Sequence, residues 1–308
     1  MHTPLTQTQL GIYAASINAE DSGNYNIDML YRLDADVDVV RLAAAVDAVV
    51  AAHPYIKSRL TTDEGGNPVF DTRADEVFQT AVIDVEDIDD VRPTLAADYD
   101  LLGGERLFRI AIYRTPAGAY LYADFHHIIF DGMSFVTFTT EVSRTYDGGQ
   151  PAGEEVTGEE IAAAEIAERS SAAYDEAKRW YTAEYAEAAE IDSMPLGDVY
   201  DGGAAQYADI HLPLSLDKAA IERFCGAAPC KESTLLTAAF GYTLAVYAGS
   251  DNALFATIYH GRPDRLTRAT FNMMVKTLPV YHDYSKTSSV SELLSHAEEQ
   301  MAGARRHS

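Results

Sequence analysis

The stretch "ADFHHIIFDGMSF", residues 123–135, sets two adjacent histidines, His126 and His127, five and four residues ahead of Asp131, with Gly132 and Ser134 just beyond. Histidine ordinarily titrates near pH 6.5, so one imidazole can take a proton at neutral pH, and a positioned base contributes about 10²–10⁴ in rate. Side chains alternate along a strand. If the strand keeps its register to residue 127, Tyr120, Tyr122, Asp124 and His126 share one face, and Leu121, Ala123, Phe125 and His127 share the other. Two imidazoles on opposite faces cannot serve one reacting atom, which argues against a zinc site of His126, His127 and Asp131. Two readings stay open. One is a structural corner. The other uses one imidazole as a base, Asp131 turned back onto a cation, and Gly132 where the chain needs positive φ or a ligand passes close to the backbone. The second arrangement suits acyl transfer to an amine or hydroxyl. No G-x-S-x-G context accompanies it, so direct attack by the acceptor fits better than an acyl-enzyme.

These residues need a strand to hold them and a helix to follow. "RLFRIAIYR" and "AYLYADFHH" read as strands joined by the turn "TPAG", and "SFVTFTTEVSRTYDG" as a helix with Ser134 placed to cap it. Upstream, "LTQTQLGIYAASIN" predicts a helix with Thr6 and Gln9 at capping-box spacing. "NIDMLYRLD" predicts a strand. "DVDVVRLAAAVDAVVAAHP" predicts a helix capped by Asp38, with Leu42, Val46, Val49 and Val50 as its apolar stripe and Pro54 past its end. "RLTTDEGGNPVFD" predicts two short strands about a turn. Residues 148–158 read as a solvated acidic linker. A long polar helix follows over 159–190, then a strand at 206–214, helices near 216–226 and over "TLLTAAFGYTLAVYAG", strands "ALFATIYHG" and "MMVKTLPVYH", and a last helix, "SSVSELLSHAEEQMAGARR". The expectation is an α/β chain of two lobes, residues 1–157 and 158–308.

The 308 residues, 47% hydrophobic, can bury sizeable cores. A formal net charge of −25 excludes the basic footprint that nucleic acid requires. Two cysteines, Cys225 and Cys230, read as ordinary thiols rather than a disulfide scaffold or a metal site. No window approaches a membrane span and the first residues carry no secretory pattern, so the expected location is the cytoplasm.

With these residues in place, the sequence resembles the condensation domains of nonribosomal peptide synthetases. "HHIIFDG" fits their His-His-x-x-x-Asp-Gly motif, and Ser134 its extension. "LTQTQLGIY" is similar to the first core block, with Gln9 and Tyr13 in register; "AAHPYIKSRL" resembles the second, through His53 and Lys57. "GRPDRLTRATFNMMVKTLPV" resembles the late Gly-Arg and Val-Asn-Thr-Leu-Pro blocks. Departures occur at Ala52, Asn272 and Lys276, the fourth block is faint, and the sixth and seventh do not appear, so the second lobe is expected to be incomplete, with dimerisation through it a consequence.

The resemblance implies two chloramphenicol-acetyltransferase-like lobes in a V with a tunnel between them. It implies amide formation between an acyl or peptidyl thioester donor and an aminoacyl thioester acceptor, with adjacent synthetase domains as neighbours. Both substrates would ride on phosphopantetheine arms of peptidyl carrier proteins, the chain binding no cofactor or metal of its own. By the same resemblance His127 is catalytic, as base or positioning group. His126, Asp131, Gly132 and Ser134 are support, Arg59 or Arg262 partners Asp131, and Gln9, Tyr13, Met274 and Lys276 lie near substrate. Two alternatives are a coenzyme A-dependent O- or N-acyltransferase of the same superfamily and a non-catalytic fragment that docks a carrier.

Overall fold

In a computed structural model describing residues 2–18, 22–190, 211, 213, 215–228 and 230–308, the chain is a mixed α/β protein in two compact units. The first, Met1–Ser170 with His260–Lys276, begins β1 (His2–Pro4), α1 (Gln7–Asn18), β2 (Asn26–Arg32), α2 (Val39–Ala52), β3 (Ser58–Thr62), β4 (Pro68–Thr72) and β5 (Ala81–Asp84). It continues through α3 (Ile88–Val91), β6 (Phe108–Thr115), β7 (Gly118–His126), α4 (Gly132–Tyr146) and α5 (Gly158–Glu168). Two sheets result: β2-β7-β6-β5, in which only β5 runs parallel to its neighbour, and β1-β4-β3.

Alternation along β7 fixes which side chains meet the helices. Leu121, Ala123 and Phe125 join a core cluster with Ile110 and Ile112 of β6, Val46, Val49 and Val50 of α2, and Phe135, Phe138 and Val142 of α4. Phe125 stacks on Phe130 at 3.9 Å between ring centres and meets Phe138 edge-on at 5.4 Å, so burial of this face anchors the strand end. Asp38 caps α2 by accepting from Val40 and Arg41 N–H, as its sequence predicts. The cap of α4 is Asp131 rather than Ser134, because the carboxylate three residues back reaches the Ser134 N–H.

The boundary between units also differs from the expected 157/158. Residues 150–158 do not form a solvated linker: Glu154 accepts from Tyr55 N–H at 3.1 Å, Ala152 N–H donates to Glu141, and Val156 O accepts from Thr270. Gly158 lies so close to Tyr55 that a Cβ there would stand 2.2 Å from the ring. Helix α5, started by a Thr157–Glu160 capping box, is tied to α1 through Gln7 N–H and Glu165. The helix expected over 159–190 therefore breaks at Ser170, and Ser171 caps a new one.

The second unit, Ser171–Tyr259 with Thr277–Ser308, carries α6 (Ala172–Glu184), α7 (Lys218–Ala227), α8 (Glu232–Ala248) and β8 (Asn252–Tyr259). After a return to the first unit that includes α9 (Arg265–Arg268), the chain resumes with β9 (Lys276–Asp283) and α10 (Val290–Arg306). Strands β8 and β9 pair; Ala238 of α8 packs with Leu294 and Ala297 of α10. Trp180 of α6 lies against Gly303 of α10, where only a missing Cβ leaves room for the indole. The strand expected at 206–214 lies almost wholly outside the described residues. Among those residues no helix is long and apolar enough to cross a membrane.

Candidate active site

Strand β7 ends at His126, and a tight turn carries the chain through His127 to Asp131 and into α4. Both histidine backbones are pinned: His126 N–H donates to Leu107 O at 2.8 Å and His127 N–H to Tyr25 O at 2.7 Å. The two imidazoles then part company. His126 is buried, and its Nδ1 accepts from Ile128 N–H at 3.1 Å. Burial, helped by His127 and Arg109 nearby, pushes its pKa down to about 4, so it is neutral at pH 7. His127 is only half-buried, although its Nδ1 is enclosed. One ring is committed to the scaffold and the other is reachable.

Asp131 closes the turn. Its Oδ1 accepts from Ser134 N–H at 2.8 Å and Ser134 Oγ–H at 3.0 Å; its Oδ2 accepts from Arg262 Nη1 at 2.5 Å and Met274 N–H at 3.0 Å. Asp131 and Arg262 are both 0% exposed. The guanidinium also donates to Ser134 Oγ and to the carbonyls of His260, Thr270 and Asn272. These bonds to both terminal nitrogens are what make a buried ion pair tolerable, although the Nε, also buried, has no hydrogen-bond partner. Gly261 makes the approach possible: at φ +66°, a Cβ on it would lie 1.8 Å from Met274 O.

The geometry decides between the two candidate arginines. Arg262 pairs with Asp131, whereas Arg59 binds Glu76 at 2.7 Å and Gly104 O at 2.6 Å. Gly132 does not use positive φ; it starts α4, and a Cβ there would meet nothing within 4 Å. Gln9, fully buried, accepts from Thr6 N–H at 2.9 Å and donates to Tyr55 Oη at 3.4 Å and Asn272 Oδ1 at 2.8 Å. Tyr13 packs against the core cluster, Met274 offers its backbone N–H to Asp131, and Lys276 stands half-buried at the start of β9. Asn272, marked in the sequence as a departure, also accepts from Met273 N–H through Oδ1 and donates its own N–H to Ser134 Oγ at 3.1 Å. Protein partners thus occupy both Asp131 oxygens, each accepting two hydrogen bonds.

Sequence reasoning passed over the other face of β7. There Tyr122, Asp124 and His126 are buried together, and Asp124 faces Arg109 at 3.3 Å. Burial pushes the Asp124 carboxyl up to about 6 against the pull of Tyr99 and Arg109. The signal was available: an acid at an inward position of an otherwise apolar strand.

A family model described as "Condensation domain" matches residues 1–308. The chain belongs to the condensation domain family. Tyrocidine synthase 3 of Brevibacillus parabrevis is 24% identical over 99% of this condensation domain, which covers 5% of that synthase. The curated relatives it matches are far longer, this chain spanning 3% to 11% of them. Among solved structures, it is similar to the first condensation domain of the calcium-dependent antibiotic synthetase in complex with a substrate analogue (TM-score 0.76, 21% identity, 100% of this chain and 76% of that one). It is also similar to the starter condensation domain of rhizomide synthetase in complex with C8-CoA (TM-score 0.75, 19% identity, 100% and 72%). These likenesses agree with the expected α/β acyltransferase-like fold.

Proposed function

We propose that the chain is an amide-forming acyltransferase acting within a nonribosomal peptide synthetase, joining an acyl or peptidyl thioester to the amine of an aminoacyl thioester. The observation that carries this is the unequal pair of histidines: His126 buried and held neutral, His127 half-open at the end of a turn locked by Asp131 and Arg262. With Nδ1 enclosed, the ring nitrogen that serves the reaction in this reading is Nε2. The acceptor amine attacks the thioester carbonyl, a C–N bond forms, and the C–S bond breaks. The amine proton passes to His127 and from it to the departing thiolate, or goes directly to the thiolate while His127 hydrogen-bonds and orients the amine. Because a thioester is already activated, orientation supplies most of the acceleration and the imidazole a smaller share. Both substrates arrive on phosphopantetheine arms of carrier proteins, and the chain contributes no cofactor.

The test is amide formation by the purified chain with two loaded carrier proteins. His127→Ala should lower the rate by about 10²–10⁴ with the circular dichroism spectrum unchanged; an equal rate in a folded variant overturns the assignment. A second reading, an acyltransferase using coenzyme A, draws support from the likeness to a starter domain bound to C8-CoA. It predicts turnover with an acyl-CoA donor and no carrier on the donor side.

A further inference from the structure

Behind His126 lies a loop whose placement is over-determined. Ala96 has φ +54°, the one non-glycine residue in the left-handed region among the described residues, a conformation that Cβ sterics disfavour. Side chains from three adjacent strands hold it there. Tyr122 of β7 accepts from Ala96 N–H at 2.5 Å, Asn26 of β2 donates to the carbonyls of Ala96 and Ala97 at 3.1 Å each, and Arg109 of β6 donates to the carbonyls of Ala97 and Asp98. Asn26 pairs with His126 across the sheet, and Arg109 pairs with Asp124, so the clamp sits at the strand end that carries the histidines.

The clamped loop delivers one ring. Tyr99 is buried, its hydroxyl donates to Asp124 O at 3.1 Å, and the Arg109 guanidinium lies 3.8 Å over its face. Its edge meets His126 at 5.6 Å between centroids and 89° between planes. His126 also accepts the Ile128 N–H through Nδ1. Movement of Tyr99 would therefore turn His126, slacken that hydrogen bond and shift the turn that holds His127.

We infer that Tyr99, braced by the Arg109 guanidinium over its ring, is a positioning residue that sets the His127 imidazole through His126. The rate consequence rests on the proposed amide-forming reaction; the structural consequence does not. Strain at Ala96 fits this role, since a sterically unfavourable backbone persists only where its surroundings enforce it.

The experiment compares Tyr99→Leu, which removes the ring edge, with Tyr99→Phe, which keeps it. Histidine ring resonances of the ¹⁵N-histidine-labelled chain are recorded, and kcat and KM are measured with two loaded carriers. In Tyr99→Leu the resonances of both His126 and His127 should move, with kcat falling about tenfold and KM for the amine-bearing carrier within about twofold. Tyr99→Phe should resemble wild type in both readouts. Unmoved His127 resonances, an unchanged kcat, a fall expressed in KM alone, or Tyr99→Phe as impaired as Tyr99→Leu would each overturn the inference. If the wild-type chain forms no amide, the functional reading fails, while the resonances still decide whether Tyr99 sets the ring. Should Tyr99→Leu not fold, Arg109→Met releases the loop with Tyr99 intact, and the same shifts in His126 and His127 are required of it.

Discussion

Removing the Asp131 carboxylate takes away four hydrogen bonds at once: two from Ser134, one from Met274 N–H and one from Arg262. It also strands the Arg262 guanidinium, 0% exposed, with neutral carbonyls and a hydroxyl as its remaining partners. Breaking a buried pair from one side costs about 3–5 kcal/mol. Loss of the α4 cap, about 1 kcal/mol alone, overlaps with that figure because the same carboxylate does both jobs. Asp131→Ala should thus cost about 4 kcal/mol, a large part of a typical total of about 5–15. With a urea m-value of about 2 kcal/mol/M, the midpoint moves down by about 2 M. Hydrogen exchange should rise first in peptides covering 118–146. Adding Arg262→Met removes the stranded charge, so the double variant should recover about 2 kcal/mol relative to Asp131→Ala. A single-variant loss below about 1 kcal/mol, or a double variant that loses the sum of both singles, would refute the reasoning.

Gly261→Ala should destabilise the first unit by at least about 3 kcal/mol, since its Cβ would stand 1.8 Å from Met274 O and its φ is +66°; urea unfolding reads it. His282 is buried in the second unit with its pKa pushed down to about 4. Its folded pKa lies below its unfolded one, so its contribution is complete above pH 6.5 and lost as pH falls toward 4. His282→Leu should accordingly lose about 2 kcal/mol less than wild type between pH 7 and 4.5 in urea titrations. Asp124 has the opposite sign: with its pKa raised from 3.8 to about 6, it favours the fold at low pH and that support is lost as pH rises through this window. Asp124→Asn should therefore be about 2 kcal/mol more stable than wild type at pH 8 and no more stable at pH 3.5; a gain independent of pH would contradict the assignment.

Much of the site could be read from the sequence because its signals are local. The Leu42, Val46, Val49 and Val50 stripe, the Asp38 cap and the strand leading to His126 each depend on neighbours within a few residues. Partners far along the chain could not be read so. Nothing near Asp131 chooses Arg262 over Arg59; that choice needs Gly261 against Met274, a contact formed only in the folded chain. Composition misled at "GEEVTGEE", because an acid is expected in water, yet Glu154 is held by the Tyr55 N–H and its carboxyl is pushed up to about 6 by burial. Nor could the tie from Gln9 to Asn272 be read, since the two lie 263 residues apart in the chain.

Asp131 and Arg262 are 131 residues apart in the chain, and that distance has a meaning during synthesis. A ribosome adding roughly 5–20 residues each second takes about 10 s to travel from one to the other. Throughout that interval the nascent first unit holds an acid at its centre whose counter-ion has not been made, while much of the second unit emerges in between. The histidine turn therefore cannot set until residue 262 has been made. A ribosome stalled before residue 262 would hold a chain whose β7–α4 corner remains open to proteases and chaperones.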